Sequence, residues 1–310
     1  MLIFGERHFL ETEFDNESEI EAIVFKKYEY LFGPGSFVIP RAKIKTEQGS
    51  ASIPDGFIID LETKNWYVVE VELIRHGVWT HIAPQVSKQL IASQQDLSRK
   101  LLIEVAVNLY KENESIRRIF EDEQIPDIDV RRILADIMEK PPIIGIPIDR
   151  VTSDLRQWAE SLRVQVKLWS VKKYQLLDGR ETIYEFPGEF RPILDTAEIN
   201  SNSRRTIAYY DVTLKDLIEA DLLSIGEELS FIYNPRGADS ASFTAIVEDD
   251  GSLRISSRVF SSPSIAAVFC MQQTGSNRQT ENGWRVWKNQ KNKSLEQLRK
   301  IYLNAAYDFS

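Results

Sequence analysis

The sequence predicts a mixed α/β domain followed by a smaller α+β domain. Helix-like and strand-like patterns alternate from residue 15 to residue 171, which is typical of an α/β fold built on a central sheet. A polar segment with two prolines follows, and a second set of periodic segments begins at residue 211. We therefore expect domains at residues 1–186 and 211–310, joined by a linker at residues 187–210.

The elements of the first domain follow from its apolar spacing. Ile20, Val24 and Leu31 recur at helical intervals and predict a helix at residues 17–32, which the Gly-Pro-Gly run at residues 33–35 ends. Alternating and apolar runs predict strands at residues 37–46, 53–61, 66–73, 141–148 and 164–171. Between and after them we expect helices at residues 83–97, 101–110, 114–122 and 153–162.

The second domain has the same kinds of signal. An amphipathic pattern predicts a helix that begins near residue 211 and ends near Gly226. Strands at residues 243–248 and 253–255 flank Asp249-Asp250-Gly251, a turn typical of a hairpin. A helix at residues 265–271 is expected after Ser262-Pro263-Ser264. Residues 284–288 are predicted to be a strand and residues 295–304 a closing helix.

Composition narrows the class of protein. The 310 residues are 43% hydrophobic and 27% charged, which is ordinary for a globular protein. A single cysteine, Cys270, excludes an internal disulfide and a multi-cysteine zinc site, and it fits a cytoplasmic location. We expect no signal peptide, and no apolar run approaches the ~20 residues of a membrane span. No glycine-rich phosphate loop is present, so we expect no nucleotide partner.

The most informative residues are acidic. Glu70 and Glu72 are two apart on a predicted strand, so they share one face of an otherwise apolar segment. Asp55 begins the neighbouring antiparallel strand and can lie beside Glu70. Buried carboxylates need a cation, a proton or a basic partner, and three oxygen ligands suit Mg²⁺ or Mn²⁺. The alternative is a structural ion pair with Arg75 or Lys43.

The order of these residues resembles the PD-(D/E)XK nuclease superfamily. A first helix with Glu21 is followed by PDGFIID, then WYVVEVELIRHGVW, then a helix with glutamines. The resemblance covers residues 15–171 and implies a restriction-endonuclease-like αβββαβ core with a mixed central sheet. It also implies that Asp55 and Glu70, together with Glu21, hold Mg²⁺ or Mn²⁺.

Glu72 departs from the family's pattern, which usually has lysine at this position. Glutamate cannot supply the positive charge of lysine, so Glu72 would instead complete the metal site or position water. Lys88, on the following helix, or Lys43 could present an ammonium group from a shifted position. The alternative is that the fold has lost its activity.

Gln85 and Gln89 lie four apart on the same predicted helix and therefore on one face. They resemble the glutamines that support the site or contact DNA in several of these nucleases, and the alternative is that they are ordinary exposed residues. The histidines have a weaker signal. His76 and His81 lie just beyond the third strand and could reach the site, although partly exposed structural histidines are the simpler interpretation.

A basic tract with interleaved tryptophans lies near the end of the chain. Such a tract can hold phosphates and stack on bases, and the alternative is a solvated helix face beside core tryptophans. Of Trp284 and Trp287, we expect one in the core and the other on a DNA-binding or docking surface. The candidate DNA-binding residues are Arg278, Trp284, Arg285, Lys288, Lys291 and Lys293.

The second domain resembles the restriction enzyme adenine methylase associated (RAMA) domain over residues 211–307. The segments that resemble it are LKDLIEADLLSIGEELSF, FTAIVEDDGSLRI, SSPSIAAVF and ENGWRVWK. The resemblance implies contact with DNA, including modified DNA, and the helix start at residues 262–264 is compatible with phosphate binding. The alternative is a docking module that packs on the nuclease core.

These observations together predict a metal-dependent DNA endonuclease of restriction or defence type, directed to DNA by its second domain. The net charge of −9 argues against a general nucleic-acid coat protein, but clustered carboxylates are compatible with a nuclease. DNA is the expected partner, and a homodimer is one possible state of assembly. The rival hypothesis is a catalytically inactive nuclease-fold protein that binds DNA or serves in assembly.

Overall fold

The computed structural model describes residues 1–199, 209–235 and 239–308. The chain divides into two compact units, Met1–Asn200 and Ser201–Ser310. The predicted mixed α/β character is confirmed, with one large mixed sheet among several sheets. None of the helices that the structure describes is long and apolar enough to cross a membrane.

The first unit combines a central sheet with helices on both faces. Its strands are β1 (Leu2–Phe4), β2 (Arg7–Thr12), β3 (Ser36–Ile39), β4 (Ile44–Lys45), β5 (Ala51–Ser52), β6 (Gly56–Asp60), β7 (Asn65–Val69), β8 (Ile143–Ile148), β9 (Val166–Ser170), β10 (Lys172–Leu176), β11 (Thr182–Glu185) and β12 (Leu194–Asp195). Its helices are α1 (Glu17–Lys26), α2 (Glu29–Phe32), α3 (Ala83–Ser93), α4 (Asp96–Glu112), α5 (Glu114–Asp122), α6 (Val130–Glu139), α7 (Ser153–Ser161) and α8 (Thr196–Ile199).

The central sheet has the strand order β12-β9-β8-β7-β6-β3. Strand β8 pairs in parallel with β7 and β9, whereas β6 pairs antiparallel with β7 and β3. Every residue of β8 is buried, as expected of a parallel strand covered on both faces. One hydrophobic core packs helices α3 to α7 against the sheet, and another packs α1 and α2 against it.

Three parts of the first unit differ from the sequence prediction. The strand expected at residues 37–46 is broken near Pro40, and its second half, β4, pairs with β5 in a separate sheet. The hairpin β1-β2, which joins β10 and β11 in a four-stranded sheet, was not predicted because most of its side chains are exposed and give no apolar alternation. Helix α6 was not predicted either.

Residues 187–210, the expected linker, contain some regular secondary structure. Residues 194 and 195 form β12, which pairs antiparallel with β9 at the edge of the central sheet. The indole Nε1 of Trp169 donates to the carbonyl of Phe190 at 3.1 Å, which ties the preceding residues to the first unit. Residues 194–199 of the expected linker therefore have regular structure, in β12 and α8. Residues 200–208 of that segment lie outside the described residues.

The second unit is an antiparallel sheet with helices. Its elements are α9 (Leu214–Glu219), β13 (Glu228–Tyr233), β14 (Ala241–Val247), β15 (Leu253–Ile255), β16 (Arg258–Phe260), α10 (Pro263–Gln273), α11 (Gly283–Val286) and α12 (Leu295–Asp308). The predicted hairpin is confirmed: β14 pairs with β15 across a turn in which Gly251 has a φ of +82°. The prediction of a strand at residues 284–288 is wrong, because the chain forms α11 there.

Candidate functional site

The two central carboxylates lie side by side, as strand order predicts. Asp55 directly precedes β6 and Glu70 directly follows β7, its antiparallel neighbour. The backbone N–H of Asp55 donates to Glu70 Oε2 at 3.3 Å, and the N–H of Val71 donates to Asp55 Oδ2 at 3.0 Å. Strand pairing therefore brings the two carboxylates together, and a backbone N–H group donates to each of them.

Helix α3 supplies two amides to Glu70. The side-chain Nε2 of Gln89 donates to Glu70 Oε2 at 2.7 Å, and the Nε2 of Gln85 donates to Glu70 Oε1. Gln89 is buried and Gln85 is half-buried. The predicted shared face is confirmed, and these two residues are not ordinary exposed glutamines.

Burial makes this carboxylate cluster hard to ionise. Desolvation first, and then the negative charge of Asp55, raises the pKa of Glu70 to about 8. Desolvation likewise raises the pKa of Asp55 to about 6, partly offset by the hydrogen bond from Val71. Such raised values are common at functional sites, where buried like charges await a cation or a proton.

Arg41 is the basic partner that the sequence analysis missed. Its Nη2 donates to Glu21 Oε2 at 2.6 Å and to Asp55 Oδ1 at 2.7 Å, so it links helix α1 to the carboxylate pair. Arg41 lies in the break between β3 and β4, and Pro40 was the only sequence signal for that break. Glu21 thus reaches Asp55 through a guanidinium group.

The ion pairs considered from the sequence do not form. Arg75 instead donates to the backbone carbonyls of Phe14 and Asp15. Among the residues that the structure describes, neither Arg75 nor Lys43 pairs with Glu70 or Glu72. The structural ion pair is therefore wrong as an explanation of the two glutamates.

Glu72 lies apart from the amides of α3 and beside two histidines. Its backbone forms an isolated parallel bridge with Ile148, and its side chain is fully buried. Glu72 Oε2 is 3.5 Å from His76 Nδ1, and Oε1 is 3.8 Å from His81 Nε2. Desolvation first, and then the charge of Glu17, raises the pKa of Glu72 to about 9.

Lys88 is on α3 but is exposed. Among the residues that the structure describes, it forms no ion pair with the site carboxylates. Its role as a shifted source of positive charge stays a prediction. The residues that the structure does bring together are Asp55, Glu70, Gln85 and Gln89, with Glu21 joined to them through Arg41.

Three lysines of the second unit lie on one ordered turn. Asn289 is buried, and its Oδ1 accepts hydrogen bonds from the backbone N–H groups of Lys291 and Lys293, at 3.1 and 3.0 Å. Lys288 exchanges two backbone hydrogen bonds with Ser230 of β13. We call Lys288, Lys291 and Lys293 the lysine turn. All three are exposed, and in the described part of the chain none forms an ion pair.

The tryptophans are not part of this surface. Trp287 is fully buried and Trp284 is 6% exposed, so the expectation that one of them lines an exposed surface is wrong. The three-residue spacing puts both into the core because the chain is helical here. The guanidinium of Arg299 covers the ring of Trp284. Trp284 is therefore unavailable for stacking on a base.

The structure also bears on two further candidates for phosphate binding in the second unit, Arg278 and the helix start at residues 262–264. Arg278 lies 3.5 Å from Glu281, which offsets its charge. The helix start at residues 262–264 is not an open anion site, because Pro263 and Ser264 are buried and Gly283 packs directly on their backbone. A Cβ at position 283 would lie 2.1 Å from the carbonyl carbon of Pro263, so only glycine allows this contact.

The family comparison identifies the second part of the chain. Residues 195–308 match the family described as Restriction Enzyme Adenine Methylase Associated. Residues 195–308 are a RAMA domain. The resemblance seen in the sequence is confirmed, and the match begins upstream of residue 211, in β12. The RAMA domain suggests an association with restriction-modification systems. No curated protein matches the chain.

Proposed function

We propose that the protein is a metal-dependent DNA endonuclease of restriction or defence type, in which the RAMA domain directs cleavage to DNA, including modified DNA. The observation that carries this proposal is the arrangement of Asp55, which is half-buried, and Glu70, which is buried: strand pairing places the two carboxylates side by side, and the amides of Gln85 and Gln89 hold that of Glu70.

The donor set fits a divalent cation. Asp55 and Glu70 present hard carboxylate oxygens, which Mg²⁺ and Mn²⁺ prefer, and Glu21 is one hydrogen-bonded group away. The raised pKa values of both carboxylates reflect their burial and the repulsion between like charges. A bound cation would relieve that repulsion, and it would polarise a phosphodiester and activate water.

Each neighbouring residue has a distinct task in this proposal. Gln85 and Gln89 hold the carboxylate of Glu70 in one orientation, since each amide donates to a different oxygen. Arg41 neutralises Glu21 and Asp55 and presents a half-exposed guanidinium that suits a DNA phosphate. Lys88 is a second proposed source of positive charge, and Glu72 or Glu21 is proposed to position water.

The RAMA domain is proposed to bind the DNA backbone through the lysine turn. Three exposed ammonium groups without described ion pairs are available to phosphates, and the buried Asn289 holds the backbone of the turn in one shape. Arg285 is also exposed and extends this basic surface. Phosphate contacts of this kind set position and affinity, whereas the bases or modifications would be read by other groups of the domain.

The direct experiment is cleavage of supercoiled plasmid by the full chain with Mg²⁺ or Mn²⁺, with and without chelator. Unmodified, methylated and hydroxymethylated plasmids are compared in parallel. The proposal predicts nicked or linear products that depend on the metal. Lys88→Ala is compared with Lys100→Ala, a matched exposed lysine on α4, and only the first is expected to slow cleavage.

A second candidate is a catalytically inactive nuclease-fold protein that binds DNA or serves in assembly. Glu72 favours it, because this residue takes the place where the resemblance has lysine and is fully buried among acids. This candidate predicts DNA binding without cleavage in any divalent metal. If the protein binds DNA but leaves plasmids of every modification state intact, the second candidate is favoured over the nuclease.

A further inference from the structure

A second cluster of metal-binding side chains lies beside the carboxylate pair. Glu17 comes from the first turn of α1, Glu72 follows β7, and His76 and His81 come from the turn that leads to α3. One potential ligand atom from each residue lies within 4.8 Å of all the others. Sequence patterns alone do not group these four residues, since Glu17 is far from the other three along the chain.

The strongest observation is the state of Glu72. Its side chain is fully buried, and neither carboxylate oxygen has a hydrogen-bond partner. The Nδ1 atom of His76 is also buried without a partner. Polar atoms removed from water are normally satisfied, because leaving them without a partner is unfavourable by about 1–3 kcal/mol. A bound cation would satisfy the carboxylate of Glu72 and the Nδ1 atom of His76 at the same time.

The distances within the cluster fit coordination better than hydrogen bonding. Glu72 Oε2 and Glu17 Oε1 lie 3.5 and 3.7 Å from His76 Nδ1, and Glu72 Oε1 lies 3.8 Å from His81 Nε2. Hydrogen bonds between such groups are about 2.7–3.2 Å long. Ligands about 2.0–2.1 Å from a tetrahedral ion lie about 3.4 Å from one another. The three separations given above are 0.1–0.4 Å longer than this, and the whole set lies within 4.8 Å, so a small inward movement of the side chains would bring it to coordination distances.

The local backbone supports a functional role for the turn. Residues 78–82 form a π-helical turn, in which the N–H of Ile82 bonds to the carbonyl of Gly77, and Gly77 has a φ of +80°. Single π-turns are rare and are frequent at functional sites. Here the turn places His81 beside the buried Glu72, so that His76 and His81 both face the carboxylate of Glu72.

We propose that Glu17, Glu72, His76 and His81 bind a first-row transition-metal ion of the Zn²⁺ class. Two imidazole nitrogens and two carboxylates favour such an ion over Mg²⁺, which prefers oxygen ligands alone. The ligand set is separate from Asp55 and Glu70, so the protein has two adjacent sites of different chemistry.

The position of the ion has a consequence that rests on the proposed nuclease function. Glu72 occupies the place of the lysine in the PD-(D/E)XK pattern and cannot supply positive charge. A cation bound by Glu72 would return positive charge to that place. The departure from the pattern would then be a replacement of an ammonium group by a metal ion.

The site is tested by metal binding to the full chain, without reference to cleavage. Metal-stripped protein is titrated with Co²⁺, followed by visible absorption, and with Zn²⁺, followed by calorimetry. We expect one site with the intense visible bands of tetrahedral Co²⁺, which Zn²⁺ displaces. His81→Ala and Glu17→Gln should each weaken Zn²⁺ binding by about 10-fold or more.

The controls separate this site from its neighbours. His8→Ala removes an exposed histidine from β2 and should leave Zn²⁺ binding unchanged. Asp55→Ala should also retain the Co²⁺ bands, even if it abolishes cleavage. Both ligand changes are at half-buried or exposed positions, and thermal unfolding of the metal-free variants checks that they fold. Absence of the Co²⁺ bands, or equal Zn²⁺ affinity of His81→Ala and the parent protein, would overturn the proposed site.

The two proposals fail in different ways. A protein that binds Zn²⁺ through this cluster but cuts no plasmid contradicts the nuclease and leaves the metal site standing. If His81→Ala cuts plasmid as well as the parent protein, the ion does not supply the positive charge that lysine has in the PD-(D/E)XK pattern. Loss of cleavage in His81→Ala with restoration by excess Zn²⁺ would support it.

Discussion

The two units handle charge in opposite ways. In the first, Asp55, Glu70 and Glu72 are largely removed from water and lie close to other acids, so their pKa values rise. In the RAMA domain, basic groups are exposed on a turn whose backbone is held by hydrogen bonds to Ser230 and to the buried side-chain amide of Asn289. The first arrangement suits a tightly bound cation, and the second suits a screened, exchangeable contact with a polyanion. In the proposed function, the first unit carries the chemistry and the RAMA domain sets the position on DNA.

The largest expected effect is on cleavage. Asp55→Ala and Glu70→Ala should each reduce metal-dependent plasmid cleavage by about 100-fold or more, because each removes an oxygen ligand from the proposed site. Thermal unfolding of the metal-free variants checks that both still fold. Glu104→Ala, at an exposed acid paired with Arg131, is the matched control. Parent-like cleavage by either site variant would show that the chemistry is elsewhere.

Substitutions in the lysine turn should change the affinity for DNA and leave the rate of the cleavage step unchanged. Replacing Lys288, Lys291 and Lys293 with glutamine should weaken DNA binding and reduce its salt dependence, by about 0.9 in log-log slope for each duplex phosphate that the protein no longer neutralises. Fluorescence anisotropy at several salt concentrations measures both. Lys215→Gln, at an exposed lysine of α9, serves as a control for Lys291→Gln alone. An unchanged slope in the triple variant would remove the lysine turn from the DNA-binding surface.

The pH dependence of stability distinguishes buried from exposed acids. Because burial raises the pKa of Glu72 from 4.5 to about 9, the folded protein keeps a proton that the unfolded chain releases between these values. Stability in chelator should therefore fall as the pH rises through that window. Glu72→Gln should flatten the fall, as read from thermal unfolding at several pH values, whereas Glu104→Gln should not. A steep fall that survives in Glu72→Gln would assign it to other groups.

The smallest effect is expected at Trp284. Trp284→Phe weakens the interaction with Arg299 and should lower the free energy of unfolding by about 1 kcal/mol. DNA affinity should stay unchanged because the side chain is buried. Denaturant unfolding and anisotropy on the same sample test both parts. A selective loss of affinity with parent-like stability would return Trp284 to the DNA-binding surface.

The site was predictable where strand geometry alone decided it. The antiparallel pairing of β6 and β7 follows from apolar alternation and a short turn, and it brings Asp55 to Glu70. The spacing of Gln85 and Gln89 is likewise a local helical property. The contacts of Arg41 and Glu17 were not predicted, because they depend on how separate segments pack and the periodicity of the sequence does not encode this.

The same distinction explains the errors in the second unit. Trp284 and Trp287 were assigned to opposite faces on the assumption of a strand, whereas a short helix turns both inward. The close approach of Gly283 to α10, which determines this packing, leaves no periodic signal. Similarly, β12 is two residues long, too short for its pattern to be seen in a segment with prolines.

The π-helical turn at residues 78–82 makes the histidine cluster unusually sensitive to chain length. A π-turn accommodates one residue more than the α-helix that continues into α3, and each residue of an α-helix turns the chain by about 100°. Deleting Thr80 would restore α-helical geometry and turn His76 and its preceding strand away from His81, with every ligand side chain still present. Deleting Thr80 would therefore abolish the proposed metal site, whereas Thr80→Ser, which keeps the hydroxyl that donates to the carbonyl of His76, would leave it intact. In relatives, the length of this loop would be a better marker of the site than its histidines.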